Sequence, residues 1–322
     1  MKSPIFLFSL PRSGSTLLQR VLMSHPEITS VAEPWLMLPL SYANRSTGVL
    51  TEYGQSICSS AVDDFIGNLP NKEDDYYSLL GEFMGGLYEK QCRKNEVYFL
   101  DKTPRYYFII PEILKSFPNA KFIFLFRNPI HVMSSMINTW CDGNLRKLYA
   151  YERDLNIGPK LLSDGLELLG DKAFSIQYEN FVLSPEFHTK KICEYLDLNF
   201  EKSMLALFST QNTKGRMGDP TGVHEYKSVS TASLDKWKDT FSTPYRKKYI
   251  SNYINGLDGN SLLAQGYNKK DIVEEIMSIK VTKSRFLIDR LDTLHSLIVR
   301  YSKANVFFGK TTKKWAKSRY LS

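Results

Sequence analysis

The sequence predicts an α/β chain built on a parallel sheet, and three observations carry that reading. Apolar runs at residues 5–10, 97–101, 121–126 and 173–178 read as buried strands. Stretches with helical spacing alternate with them, as βαβ units require. The first run breaks at a Pro/Ser/Gly cluster, and such units place anion sites at strand carboxyl ends.

The first strand, Ile5–Leu10, leads into Pro11-Arg12-Ser13-Gly14-Ser15-Thr16, after which Leu17, Leu18, Val21 and Leu22 resume at helical spacing over about 15–24. Gly14 lets backbone approach an anion without a Cβ in the way, and the N–H groups of the helix start point at that anion. Arg12 adds a permanent positive charge. A Walker A loop needs Gly-x-x-x-x-Gly-Lys-[Ser/Thr]; one glycine is present and no Lys precedes Ser15-Thr16. The loop therefore suits a nucleotide whose terminal group carries less charge than a triphosphate.

Beyond Pro26 the chain returns toward Glu33, and residues 36–95 read as a helical insertion rich in tyrosine and phenylalanine. Asp63-Asp64 and Glu73-Asp74-Asp75 within it read as a solvated face. The strand at 97–101 ends at Lys102, and the strand at 121–126 ends at Arg127 and opens into a helix carrying Ser135. Guanidinium plus hydroxyl is a suitable grip for a dianionic phosphate. Residues 141–172 are again helical, and Tyr178 ends the strand at 173–178 ahead of a helix at about 186–196. Taken singly, Arg127 reads as a surface ion-pair residue, Lys102 as solvated, Tyr178 as a packed aromatic and Trp237 as core. Order and spacing together favour a site.

Pro11–Leu18, with His25-Pro26-Glu27 behind it, resembles the 5′-phosphosulfate loop of sulfotransferases that use 3′-phosphoadenosine 5′-phosphosulfate (PAPS), most closely the branch containing tyrosylprotein and many bacterial carbohydrate and small-molecule sulfotransferases. The likeness spans about residues 4–267. It implies a P-loop NTPase-like three-layer fold in a domain at 1–268, with 36–95 shaping the acceptor pocket; residues 269–322 lie beyond the likeness and read, from their own spacing and charge, as a basic helical extension. It implies that Arg12, Ser13, Gly14, Ser15 and Thr16 hold the phosphosulfate, that Arg127 and Ser135 hold the 3′-phosphate, and that Lys102 touches the transferring group or the bridging oxygen. Tyr178 matches a strand-end Tyr-Glu segment, and Lys227, Lys236 and Trp237 match a loop that closes over the nucleotide. The product would be 3′,5′-ADP, and no metal is implied.

Sulfuryl transfer to a hydroxyl needs a base and stabilisation of charge on the leaving phosphate. Glu33 occupies the position resembling the catalytic glutamate of the tyrosylprotein branch, with Arg12 and Lys102 as catalytic partners. The family often has two acidic residues there, whereas this chain has Ala32-Glu33. Among five histidines, His25 reads as a helix cap, His131 as a helix-surface residue, His188 and His295 as structural, and His224 as the rival base. The acceptor is a hydroxyl on a glycan, lipid, small molecule or tyrosine. The rival readings are a kinase-like transferase, which the missing Walker A lysine opposes, and a non-catalytic nucleotide- or polyanion-binding protein, which an intact cradle beside Glu33 opposes.

Composition fits an enzyme with one sizeable core: 322 residues, 43% apolar and 24% charged, with no apolar run as long as a membrane span. A strand starting near residue 4 leaves no room for a signal peptide, and Cys58, Cys92, Cys141 and Cys193 stand singly, so a cytoplasmic location with free thiols is expected. Residues 269–322 hold 13 basic and 5 acidic groups, which equals the entire net charge of +8. Leu287, Leu291, Leu294 and Ile298 mark an amphipathic helix, expected to pack on the domain. An oligomer contact, an anionic acceptor surface or membrane adhesion are the functional readings of this tail. Nucleic acid is not an expected partner.

Overall fold

Five parallel strands form the sheet: β1 (Ser3–Ser9), β2 (Ile28–Ser30), β3 (Tyr98–Asp101), β4 (Lys121–Phe126) and β5 (Ala173–Gln177). Their order is β2-β3-β1-β4-β5, so the chain moves to one side of β1 first and then to the other. The carboxyl ends of β1 and β4, paired through Ser9 and Leu125, flank the point where the strand order reverses. That is where α/β sheets bind ligands. The computed structural model describes residues 1–49, 51–93, 96–211, 213–215, 229–282 and 285–302.

The sheet belongs to a unit comprising Met1–Arg127, Gly158–Thr231 and Ala264–Gly266. Its centre is aromatic because β1 and β4 place phenylalanines in register. Phe6 lies opposite Phe122 and Phe8 opposite Phe124, and Phe6 stacks on Phe122 at 6.2 Å between ring centroids. All four are buried, each contributing about 1.5–3 kcal/mol of transfer free energy. The expected strands are found within a residue or two. β1 ends at Ser9, just before Pro11, which has no N–H to donate to a ladder. The sequence analysis missed β2, whose three residues are too short to show a period.

Helices Gln55–Gly67 and Glu73–Glu89 make up half of the 36–95 insertion. Glu73, Asp74 and Asp75 lie in the first turn of the second helix, where the helix dipole favours negative charge. Gly81 brings that helix against helix Ile110–Ser116: a Cβ there would lie 2.0 Å from the Ser116 carbonyl oxygen.

The described residues of a second unit, Asn128–Ile157, Ala232–Leu263 and Tyr267–Ser322, form helices and no strand. Side chains of Asn128, Thr243 and Asn268 cap the helices Pro129–Trp140, Pro244–Gly256 and Lys269–Ser278 by accepting from backbone N–H groups. The buried Arg246 guanidinium ties the unit together: it donates to both carboxylate oxygens of Asp289 at 2.8–3.1 Å, to the Gly143 carbonyl at 2.8 Å and to the Thr240 carbonyl at 3.3 Å.

Two expectations are corrected in this unit. His131 is buried and stacks on Trp237 at 5.5 Å, rather than lying on a helix surface. The helix Phe286–Ser302 forms as expected, but its leucine face does not pack: Leu287, Leu291, Leu294 and Ile298 are all exposed, while Asp289 is fully buried. The Arg246 pair decides this orientation, because the charged face has a partner inside and, among the described residues, the apolar face has none.

Candidate active site

Each strand of the sheet delivers at least one candidate side chain from its carboxyl end. β1 runs into the loop Leu10–Gly14, closed by a bond from the Ser13 N–H to the Leu10 carbonyl at 3.3 Å. Two consecutive turns require left-handed backbone, at Arg12 (φ 69°) and Gly14 (φ 89°). A non-glycine residue in that region is uncommon and costs about 1–3 kcal/mol where the surroundings impose it. Gly14 is the N-cap of α1 (Ser15–Leu22), whose first turn presents N–H groups without intrahelical partners, with Ser15 and Thr16 both buried. The Ser13 hydroxyl is also buried and has no hydrogen-bond partner among the described residues. This donor set fits an anion in the cradle.

β4 delivers Arg127, which donates from Nη1 to the Arg12 carbonyl at 2.9 Å and lies 4.4 Å from the Tyr178 ring centroid. β5 delivers Tyr178, whose ring lies so close under the loop that a Cβ on Gly14 would come within 2.3 Å of it. Glycine is thus required at position 14 both by φ and by space. Arg127 and Tyr178 brace the cradle from beneath.

β3 delivers Lys102. The expectation that this lysine alone is solvated is corrected: it is buried, and its Nζ donates to Glu33 Oε1 at 2.7 Å and lies 3.5 Å from Thr16 Oγ1. Glu33 follows β2, and its other oxygen, Oε2, accepts from Trp35 Nε1 at 3.1 Å. The carboxylate is therefore held by two donors, and one of them sits beside the first turn of α1. Ala32, next to it, is packed against Gly215: a Cβ on Gly215 would lie 2.7 Å from the Ala32 Cβ, and the Ala32 N–H donates to the Lys214 carbonyl at 2.9 Å. Position 215 must therefore remain glycine for this contact.

The sequence analysis missed a buried polar frame around this pair. Gln19 donates to Ser30 Oγ at 2.7 Å and to the Val31 carbonyl at 2.9 Å, and Ser30 donates to the Leu100 carbonyl at 2.7 Å. Asp101, fully buried, accepts from Tyr88 at 2.6 Å, from Thr103 at 3.0 Å and from Tyr106 at 3.2 Å. The same Thr103 and Tyr106 oxygens accept from the backbone N–H groups of Trp35 (3.4 Å) and Met37 (3.2 Å), so the network fastens the segment that carries Glu33. Burial pushes the Asp101 carboxyl up to about 6 against the three hydrogen bonds and the Lys102 charge that lower it, and burial together with Asp101 drives the Tyr88 hydroxyl well above its ordinary range. A polar residue inside a strand or helix gives no local signal of such a partner.

The other candidates are placed as follows. Ser135 is half-buried on helix Pro129–Trp140; Lys236 is exposed at the start of helix Lys236–Thr240; Trp237 is buried, and its indole N–H has no partner among the described residues. Lys227 and His224 lie outside the described residues. His25 sits between the Asn199 carbonyl, 2.9 Å from Nε2, and the Glu27 N–H, 3.1 Å from Nδ1, a structural role near a helix end. The four cysteines are free thiols, with Cys141 and Cys193 buried. Among the described residues no helix is long and apolar enough to cross a membrane.

A parallel sheet with a glycine–serine loop leading into a helix start, and cationic side chains on the neighbouring strand ends, is the arrangement of P-loop-like α/β transferases. The family profile "Sulfotransferase family" matches residues 4–202. The chain belongs to that family. It is 35% identical over 136 residues to nodulation protein NoeE of Sinorhizobium fredii, a match covering 42% of this chain and 31% of NoeE. It is 24% identical over 261 residues to a putative protein-tyrosine sulfotransferase of Caenorhabditis briggsae, covering 76% of this chain and 84% of that protein. The sulfotransferase domain of the curacin biosynthetic pathway shares the fold, with a TM-score of 0.53 at 22% identity over 79% of this chain and 98% of that domain.

Proposed function

We propose that this enzyme moves the sulfuryl group of PAPS to an acceptor hydroxyl with Glu33 as general base. The observation that carries the reading is the buried Glu33–Lys102 pair beside Thr16. PAPS, when bound, supplies the sulfuryl group and a phosphate leaving group. Arg12, the buried Ser13 hydroxyl and the N–H groups of the α1 start are suited to its 5′ end, and Arg127, at the end of the next strand, to its 3′-phosphate. Ser135, Lys227, Lys236 and Trp237 keep the nucleotide roles that their places in the sequence imply.

The reaction breaks the bond from sulfur to the phosphate oxygen and forms one from sulfur to the acceptor oxygen, while the hydroxyl proton goes to Glu33. Lys102 couples the two halves. Its ammonium pairs with Glu33 and lies beside Thr16 at the start of α1, so the same cation that positions the base is placed to stabilise negative charge growing on the leaving oxygen. A positioned base contributes roughly 10²–10⁴-fold.

The acceptor class is a hydroxyl, and the names of the relatives point to tyrosine for one group of them. The test is turnover of labelled PAPS against a panel of tyrosine peptides, glycans and lipid or small-molecule alcohols, with 3′,5′-ADP and ATP compared by calorimetry. Binding of ATP with no affinity for 3′,5′-ADP would overturn the donor assignment.

A further inference from the structure

The helix Phe286–Ser302 is mounted the opposite way round from an ordinary surface helix. Its buried residue is Asp289, gripped by Arg246. Leu287, Leu291, Leu294, Ile298 and Tyr301, spaced 4-3-4-3 and hence on one face, are 54–78% exposed. Rolling the helix to bury that face would strand Arg246 without its carboxylate in the interior, an outcome that buried ion pairs strongly resist. The apolar stripe is thus held outward by a charged anchor, and an exposed contiguous apolar face marks a surface that meets something.

Charge selects the partner. Arg290 is exposed on the shoulder of the stripe, and Arg300 at the last turn pairs with Glu152. The sequence that follows, residues 303–322, contains six Lys or Arg, no Asp or Glu, and Phe307, Phe308, Trp315 and Tyr320. A second copy of the chain would bring these like charges together. It would also bury too little: seventeen residues make a helix about 25 Å long and about 10 Å wide, a face of about 250 Å², against the roughly 800 Å² per partner of a stable interface.

We propose that this helix lies in the headgroup region of an anionic lipid bilayer, leucine face down, with the basic sequence after it held by the surface charge. An apolar face plus a polybasic segment supplies the two signals that stable peripheral binding requires.

The test is co-sedimentation of the full chain with vesicles of phosphatidylcholine alone and of equal parts phosphatidylcholine and phosphatidylglycerol. Wild type should bind the anionic vesicles, less so as salt rises, and bind the neutral ones far more weakly. Leu291→Glu/Leu294→Glu should lower the partition coefficient about tenfold or more while leaving the thermal midpoint unchanged, because both side chains are exposed. Leu287→Glu/Ile298→Glu is an independent second pair on the same face. Undiminished binding by folded variants of both pairs would overturn the proposal, as would equal binding of wild type to neutral vesicles. A wild-type dimer in ultracentrifugation that Leu291→Glu/Leu294→Glu dissolves, without vesicle binding, would assign the face to a second copy instead.

Discussion

Replacing Glu33 and Lys102, singly and together, separates the chemistry of this site from its stability. The two side chains are 11% and 2% exposed and 2.7 Å apart, so each is the main charge partner of the other in a poorly solvated place. Removing one partner of such a pair costs about 3–5 kcal/mol because the other charge stays buried. Glu33→Gln belongs at the low end, about 3 kcal/mol: its amide oxygen still accepts from Lys102, but its NH₂ then faces the Trp35 indole N–H, donor against donor. Lys102→Met leaves the carboxylate with Trp35 alone and should cost a similar amount. The double variant should be less destabilised than the sum of the singles by about 2–3 kcal/mol, the coupling expected of contacting residues. Urea unfolding measures this cycle, and single-turnover transfer from labelled PAPS measures the chemistry. There, Glu33→Gln should lose roughly 10²-fold or more with PAPS affinity kept, and the double variant should recover stability without recovering turnover. Strict additivity in the cycle would mean that the pair is not coupled. Near-normal turnover by Glu33→Gln, where chemistry limits the rate, would move the base elsewhere, with His224 next to replace.

Arg127→Ala should weaken 3′,5′-ADP by about tenfold or more through loss of a charge-assisted contact, and calorimetry should also show a smaller loss for 5′-AMP, because Arg127 braces the Arg12 carbonyl of the cradle. Gly14→Ala meets a left-handed penalty of about 1–2 kcal/mol plus the Tyr178 ring at 2.3 Å; its thermal midpoint should fall, and adding Tyr178→Ala should restore only the part due to the ring. Burial raises the Asp101 carboxyl from its ordinary 3.8 to about 6. At this site the native state therefore binds more protons than the unfolded state in that window, and the contribution of Asp101 to stability should fall by about 3 kcal/mol as pH rises through it, then level off. Asp101→Asn lacks this titration, so the difference between the two unfolding free energies should narrow between pH 4 and 6; a difference independent of pH would show that Asp101 ionises normally.

What the residues determined locally was legible in advance. The strand runs, the break at Pro11–Gly14 and the helical spacing of Leu17, Leu18, Val21 and Leu22 report on neighbours a few positions away, and the sheet formed from them within a residue or two. Parallel pairing of β1 and β4 then brings their ends together, so Arg127 reaches the Arg12 carbonyl. Tertiary structure decided what depends on a distant partner. Lys102 is buried because Glu33, 69 positions away in sequence, neutralises it. Asp101 is tolerated because Tyr88, Thr103 and Tyr106 converge on it, and His131 is inside because Trp237 covers it. Gly215 is close against Ala32, a contact 183 positions apart that leaves no room for a Cβ at 215. Periodicity in residues 286–302 revealed two faces without saying which turns inward. A carboxylate and a guanidinium 43 positions apart settled that, because a buried charge must find its counterpart whereas an exposed leucine need not.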